Sequence, residues 1–249
     1  MKVSSVSSLT DIGRTRDMNQ DYLYASAEPV GDLGNLFLVA DGMGGHNAGD
    51  FASRSAIERI TAFLKEARDL NRGGQRDVPT LLKEAILDAN RFIFEEASKD
   101  VSLRGMGTTI VAAVILDNRL YAANVGDSRL YVIDDQMRQI TRDHSLVWEM
   151  VRLGELDSES ARNHPDKNII TRAVGVGETV KVDTFERELR SGSTILLCSD
   201  GLTNMVDDRT IFSVVKEEQD PDRACARLVQ LANDNGGRDN ITLIAAAVE

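Results

Sequence analysis

Four aspartates in this sequence share a setting. Each falls where an apolar, β-rich run meets turn-forming residues: Asp41 after 36–40, Asp127 after 120–126, Asp200 after 195–199, and Asp239 just before Asn240 and the run 241–248. One aspartate at a strand end is commonly a turn residue. Four of them, two followed by glycine (Gly42 and Gly201), point to chemistry, because strand ends gather along one edge of a sheet. Carboxylates that meet raise one another's pKa or need cations between them. Oxygen-only donors select hard ions such as Mg²⁺ or Mn²⁺. The spacing does not suit zinc: the histidines at 46, 144 and 164 are scattered, and Cys198 and Cys225 are 27 residues apart (225 − 198).

Two divalent ions about 4 Å apart repel by about 17 kcal/mol at an effective dielectric of 20, so an anion must bridge them. Asp41 is the candidate bridge, because the glycines of Asp41-Gly42-Met43-Gly44-Gly45-His46 free it to present both oxygens. Those glycines also let a backbone carbonyl approach a metal. Water held between two such ions becomes a nucleophile near neutral pH without a protein base. A site of this kind hydrolyses phosphate esters, and it needs a positive anchor for the phosphate. Arg16 is the candidate, since a guanidinium suits bidentate phosphate contact.

Competing chemistries fail on spacing. A cysteine phosphatase needs arginine six positions after its cysteine, and Asn204 and Leu231 stand there instead. Cys198, inside an apolar run, reads as core. The chain has neither a G-x-x-x-x-G-K-[ST] phosphate loop nor a G-x-S-x-G nucleophile elbow.

The elements that must position these residues are legible in outline. The chain has 249 residues, 42% of them hydrophobic, enough for a sizeable core without disulfide staples. No long linker or solenoid repeat divides it, so one domain is expected, and the most linker-like stretch is 71–77. Apolar residues recur at helical spacing over 48–70 and 79–99, with Thr80 as expected N-cap of the second helix, and a third helix is expected from Pro221 to Asn233. Strands are expected at 36–40, 108–116, 120–125, 130–133, 194–198 and 241–248. The stretch 107–133 reads as a meander with turns at 117–118 and 126–127. Grouped strands beside adjacent helices favour α+β layers. The polar stretch 143–168 reads as a surface excursion or a mobile flap.

Charge narrows the partners. Twenty-nine Lys and Arg against 40 Asp and Glu give a net −11, without the basic footprint of a nucleic-acid binder. Two cysteines, no secretion signal and no apolar run long enough to span a bilayer lead us to expect a cytoplasmic protein with no membrane contact.

Six motifs then stand in a known order: Arg16-x-x-Asn19-Gln20-Asp21, Asp41-Gly42-Met43-Gly44-Gly45, Gly107-Thr108-Thr109, Gly126-Asp127-Ser128-Arg129, Ser199-Asp200-Gly201-Leu202 and Arg238-Asp239-Asn240. Together they resemble the metal-dependent protein phosphatases (PPM, the type 2C Ser/Thr phosphatases), in their compact bacterial form. The resemblance implies an α+β fold, a central antiparallel β-sandwich flanked by pairs of α-helices in four layers α-β-β-α. It implies one catalytic domain over 1–249 with a flap around 143–168. It also implies hydrolysis of phosphoserine and phosphothreonine on proteins by in-line attack of a hydroxide bridging two Mn²⁺ or Mg²⁺ ions.

By the same resemblance, Asp41 bridges both metals with the Gly42 carbonyl on one of them. Asp200 and Asp239 hold the other metal, and Asp127 joins Asp200 around a third. Arg16 binds the substrate phosphate, Asp21 orients a metal-bound water or Arg16, and His46 lies near the substrate. A cognate Ser/Thr kinase is the implied opposing partner, and a monomer is expected. Two positions depart from the pattern. Gln20 stands where many members carry Glu, and Met43 stands where animal relatives carry a proton-donating His. These departures motivate a rival reading, a metal-binding pseudophosphatase that recognises phosphoproteins without turning them over. A narrower variant of the main reading has the enzyme act on a regulator in a partner-switching circuit.

Overall fold

The computed structural model describes residues 2–45, 48–66, 77–157, 160–161 and 164–249. His46 and most of the 71–77 stretch lie outside the described residues. Two antiparallel sheets stack face to face. One has the order β1(Val3–Asp11), β11(Ile241–Val248), β10(Thr194–Cys198), β7(Arg129–Ile133), β8(Met137–Gln139). The other runs β2(Asp21–Ala25), β3(Asn35–Met43), β5(Ile110–Leu116), β6(Arg119–Val125), β9(Asp183–Glu188), with β4(Gly107–Thr108) paired to β3.

Helices α1(Ala48–Glu66) and α2(Val78–Lys99) cover the second sheet; α5(Asp208–Glu218) and α6(Pro221–Asp234) cover the first. Two short helices, α3(Leu146–Leu153) and α4(Asp200–Thr203), lie between strands. This is the expected α-β-β-α layering. Among the described residues, no helix is long and apolar enough to cross a membrane.

The layers follow from the two-residue period of a strand. In β3, Leu36, Leu38 and Ala40 pack under the helices, while Phe37 and Val39 fill the space between the sheets. The inter-sheet filling also takes Val111 and Ala113 from β5, Ile195 and Leu197 from β10, and Ile244 and Ala246 from β11. Carrying the period onward places Asp41, Ser199 and Thr242 on the same inward face. The apolar core between the sheets therefore ends, at one end of the sandwich, in polar side chains.

Several expectations are corrected. The chain from 107 to 133 is not one meander. The turn at 117–118 is a hairpin between β5 and β6, but Gly126 and Asp127 carry the chain from the second sheet to the first. Gly126 permits the crossover with φ +108°, and a Cβ there would lie 2.6 Å from Thr109 Cβ. Asp41 does not open a turn: β3 runs on to Met43, because β4 offers Gly42 and Met43 partners at Thr108 and Gly107. Thr80 is not the N-cap of α2, which starts at Val78 after Asp77, with Pro79 in the first turn where its missing N–H is not needed. Strands β1, β2, β8 and β9 and helix α5 were not expected.

Candidate active site

Asp41 is fixed by a strand that breaks beside it. Between β4 and β5, Thr109 leaves the ladder and turns its polar groups to Asp41. Thr109 N–H donates to Asp41 O at 2.8 Å. Asp41 N–H donates to Thr109 Oγ1 at 3.0 Å, and Thr108 Oγ1 donates to Asp41 O at 2.9 Å. With its main chain saturated, the Asp41 side chain is left for the cavity. Directly opposite in the β2–β3 register stands Asp21. Opposed residues of an antiparallel pair share a face, so the two carboxylates point the same way. Asp21 Oδ2 accepts from Ser199 Oγ at 2.8 Å. Asp21 Oδ1 is buried without a partner.

Asp200 begins α4 at the end of β10. Its Oδ2 accepts from Asn204 Nδ2 at 2.8 Å, and its Oδ1 is buried without a hydrogen-bond donor. Asp239 precedes β11; its Oδ1 accepts from Asn240 N–H at 2.9 Å and its Oδ2 from Arg16 Nη2 at 2.8 Å. Asp127 follows the Gly126 crossover and is buried.

The loop carrying Arg16 is sewn onto the segment before β11. Arg14 N–H donates to Gly237 O at 2.7 Å, and Thr15 Oγ1 to Arg238 O at 2.8 Å. Asn240 Nδ2 donates to Ile12 O and Met18 O, each at 3.0 Å, and Asn240 Oδ1 accepts from Gln20 N–H at 2.8 Å. Asn240 therefore staples the loop that carries Arg16 on both of its sides, at Ile12 and at Met18 and Gln20.

One cavity of about 250 Å³ collects these residues: Arg16, Gln20, Asp41, Gly42, Asp127, Asp200 and Asp239 all line it. Asp21 stands behind the wall, buried against Ser199. Gly42 has no room for a side chain, since a Cβ would lie 2.6 Å from Gln20 O. Met43, in the cavity wall, carries no titratable proton. Thr109, Asn168, Ile170 and Asn240 also line the cavity. Sequence reasoning gave them no role, although Thr109 and Asn240 stand inside the motifs quoted above. A second cavity of about 290 Å³ shares Asp127 and Asp200 and is bounded by Trp148 and Lys167 of the 143–168 excursion.

The electrostatics show a shortage of positive charge. Burial, and then Asp21, Asp200, Asp127 and Asp239, push Asp41 well above the usual carboxylate range. Burial and then Asp200 and Asp143 do the same to Asp127. Asp200 is raised to about 6 by burial and Asp239, and Asp21 to about 7 by burial, against the lowering effect of its hydroxyl donors. Among the described residues, no three His, Cys, Asp or Glu side chains are already gathered tightly enough to hold an ion. Asp239 is instead drawn to Arg16. The donor set nonetheless fits hard divalent cations: it is all oxygen, it has too little counter-charge, and Asp200 Oδ1 is buried with no donor.

The protein phosphatase 2C family profile matches residues 13–238. The serine/threonine phosphatase stp of Listeria innocua is 42% identical over 236 residues, spanning 94% of this chain and 92% of its own. The crystal structure of Stp1 from Staphylococcus aureus superimposes with TM-score 0.89 at 35% identity, covering 100% of this chain and 98% of that one. The catalytic domain of the serine/threonine protein phosphatase PstP, solved in complex with two manganese ions, superimposes with TM-score 0.83 at 35% identity, covering 98% of this chain and 97% of its own.

Proposed function

The chain belongs to the protein phosphatase 2C family and is a metal-dependent protein serine/threonine phosphatase; from that premise we propose that its reaction takes place in the cavity lined by Arg16, Asp41, Asp127, Asp200 and Asp239. The observation that carries this reading is the convergence of four carboxylates and one guanidinium on a single cavity. Asp41, the Gly42 carbonyl, Asp127, Asp200 and Asp239 hold the divalent cations, Mn²⁺ or Mg²⁺, two per site and a third at Asp127 and Asp200. Bound there, the cations supply Lewis acidity that activates solvent for in-line attack and offsets phosphate charge.

The protein residues do the rest. Arg16 turns its guanidinium from Asp239 to the phosphate and holds the equatorial oxygens through the transition state. Thr109 keeps the Asp41 backbone rigid while its carboxylate is engaged. Asp21, anchored by Ser199, supports Asp41 from behind, and Gln20 adds a neutral oxygen to the wall. The substrate-binding role expected of His46 falls outside the described residues. With Met43 unable to donate, the departing serine or threonine oxygen takes its proton from solvent. The excursion 143–168 acts as a flap over the phosphoprotein, within a single domain. The enzyme works as a monomer in the cytoplasm, opposing a Ser/Thr kinase of the same cell.

The test is phosphate release from a phosphothreonine peptide, titrated separately with Mn²⁺ and Mg²⁺, for wild type and Asp239→Asn. Metal-dependent release that collapses in the variant supports the site. Equal turnover by both proteins removes Asp239, and with it this geometry.

A further inference from the structure

His144 is only 3% exposed. It grips Gly126 twice. Gly126 N–H donates to His144 Nδ1 at 3.0 Å, and His144 N–H donates to Gly126 O at 2.9 Å. Asn124 Nδ2 adds a third bond, to the same Gly126 oxygen, at 3.2 Å. Because Nδ1 accepts, the neutral ring carries its proton on Nε2, which faces Asp183 Oδ2 at 3.2 Å. Arg172 Nη1 lies 3.0 Å from that nitrogen and donates to Asp183 Oδ1, also at 3.0 Å. Burial lowers the His144 pKa, consistent with a neutral ring.

Two features distinguish this arrangement from ordinary packing. Gly126 immediately precedes Asp127, and with φ +108° and Thr109 close by, the crossover has no slack. His144 also joins both stems of the excursion that follows it. Its carbonyl accepts from Thr171 N–H at 2.7 Å, Ser145 bridges to Ile170, and Leu146 N–H donates to Ile169 O at 2.8 Å. Asn168 and Ile170, on the returning stem, line the catalytic cavity.

We propose that His144 is a positioning residue for Asp127: its Nε2-protonated ring holds the Gly126 N–H, sets the carboxylate beside Asp200, and ties that carboxylate to the two stems of the 143–171 excursion. The inference rests on the reading of Asp127 as a cation ligand. An apolar side chain at 144 leaves the Gly126 N–H buried without an acceptor, and the crossover must shift to recover one. Asparagine can restore that acceptor, because its Oδ1 can reach the Nδ1 position. Glutamine reproduces only the Nε2 end.

The metal-free protein is titrated with Mn²⁺, bound ion is measured by loss of the free-ion paramagnetic resonance signal, and phosphate release is followed in parallel. His144→Leu and His144→Gln should weaken the loosest Mn²⁺ binding step, and raise the Mn²⁺ needed for half-maximal turnover, by about tenfold. His144→Asn should stay within about threefold of wild type on the same argument. Asp127→Ala should weaken the same step, and adding His144→Leu to it should change nothing further. Indistinguishable Asn and Leu variants would overturn the proposal, as would a full additional shift of His144→Leu on Asp127→Ala. If His144→Leu does not fold, the Asn and Gln variants carry the comparison. An Asp127→Ala protein with unaltered Mn²⁺ binding overturns both the ligand reading and the inference. A shifted Asp127→Ala with silent His144 variants overturns the inference alone.

Discussion

Arg16 Nη2 donates to Asp239 Oδ2 at 2.8 Å, so the guanidinium that would hold phosphate and a carboxylate that would hold a cation neutralise each other. The pair lies at the cavity mouth, with the arginine side chain 51% exposed and the aspartate 30%. The Asp239 charge raises the Arg16 pKa further, chiefly through this hydrogen bond. A cation held by Asp239 would therefore free Arg16 for substrate, and the two binding events would support each other.

Removing the guanidinium tests this coupling. Arg16→Ala should raise KM for a phosphothreonine peptide by about 10- to 100-fold, the range of a charge-assisted hydrogen bond. It should leave Mn²⁺ binding at least as tight as wild type, because Asp239 loses its competitor. Steady-state kinetics and calorimetric Mn²⁺ titration read the two effects separately. An unchanged KM would take Arg16 out of the site.

Neutralising the carboxylates should separate chemistry from fold. Asp41→Asn, Asp200→Asn and Asp239→Asn should each lower turnover at least about a hundredfold, since each removes a charge that would hold the Lewis acid. Each should keep its circular dichroism spectrum and a melting temperature no lower than that of the metal-free wild type. Near wild-type hydrolysis by Asp41→Asn would count decisively against the mechanism.

The raised carboxyl pKa values fix the sign of a pH dependence. Asp21 at about 7 and Asp200 at about 6 bind protons more tightly in the folded chain than in the unfolded one. Such groups contribute stability that is fully present below the unfolded pKa, about 3.9, and is lost as pH rises through the folded values. The melting temperature of metal-free protein should therefore fall between pH 5 and pH 8. Saturating Mn²⁺ should restore more stability at pH 8 than at pH 5. Asp21→Asn should flatten the metal-free profile. A metal-free melting temperature that rises across this range would contradict the burial of these acids.

Gly126 offers a steric test. Gly126→Ala places a Cβ 2.6 Å from Thr109 Cβ at a positive φ. It should destabilise the protein by about 2–6 kcal/mol, the combined range for backbone strain and core overpacking. Because Thr109 also holds Asp41, turnover of the protein that remains folded should fall as well. Denaturant unfolding and activity per folded molecule measure the two.

The site was more legible in the sequence than the fold that carries it. Asp41, Asp127, Asp200 and Asp239 were found because each ends or abuts an unmixed apolar run, and burial on both faces of a strand leaves that mark. Strand β1 leaves no clear mark because most of its residues are exposed, Ser4, Ser5 and Ser8 among them, and β9 leaves none because its residues are largely charged. The crossover at Gly126 looks like a hairpin turn in one dimension. Only the pairing of β7 with β10 rather than β6 tells them apart, and that contact is remote in sequence. His144 carried no signal, since its partner is a backbone N–H that any residue could supply.

The facing of Asp21 and Asp41 across one rung of the β2–β3 ladder makes the catalytic end intolerant of insertions. One extra residue between Asp21 and the 26–34 connection would reverse the side on which Asp21 emerges, and the same change in β3 ahead of Asp41 would turn that acid towards α1. Length variation among natural variants of this chain should therefore collect in the connections away from this rung, leaving the ladder's residue count untouched.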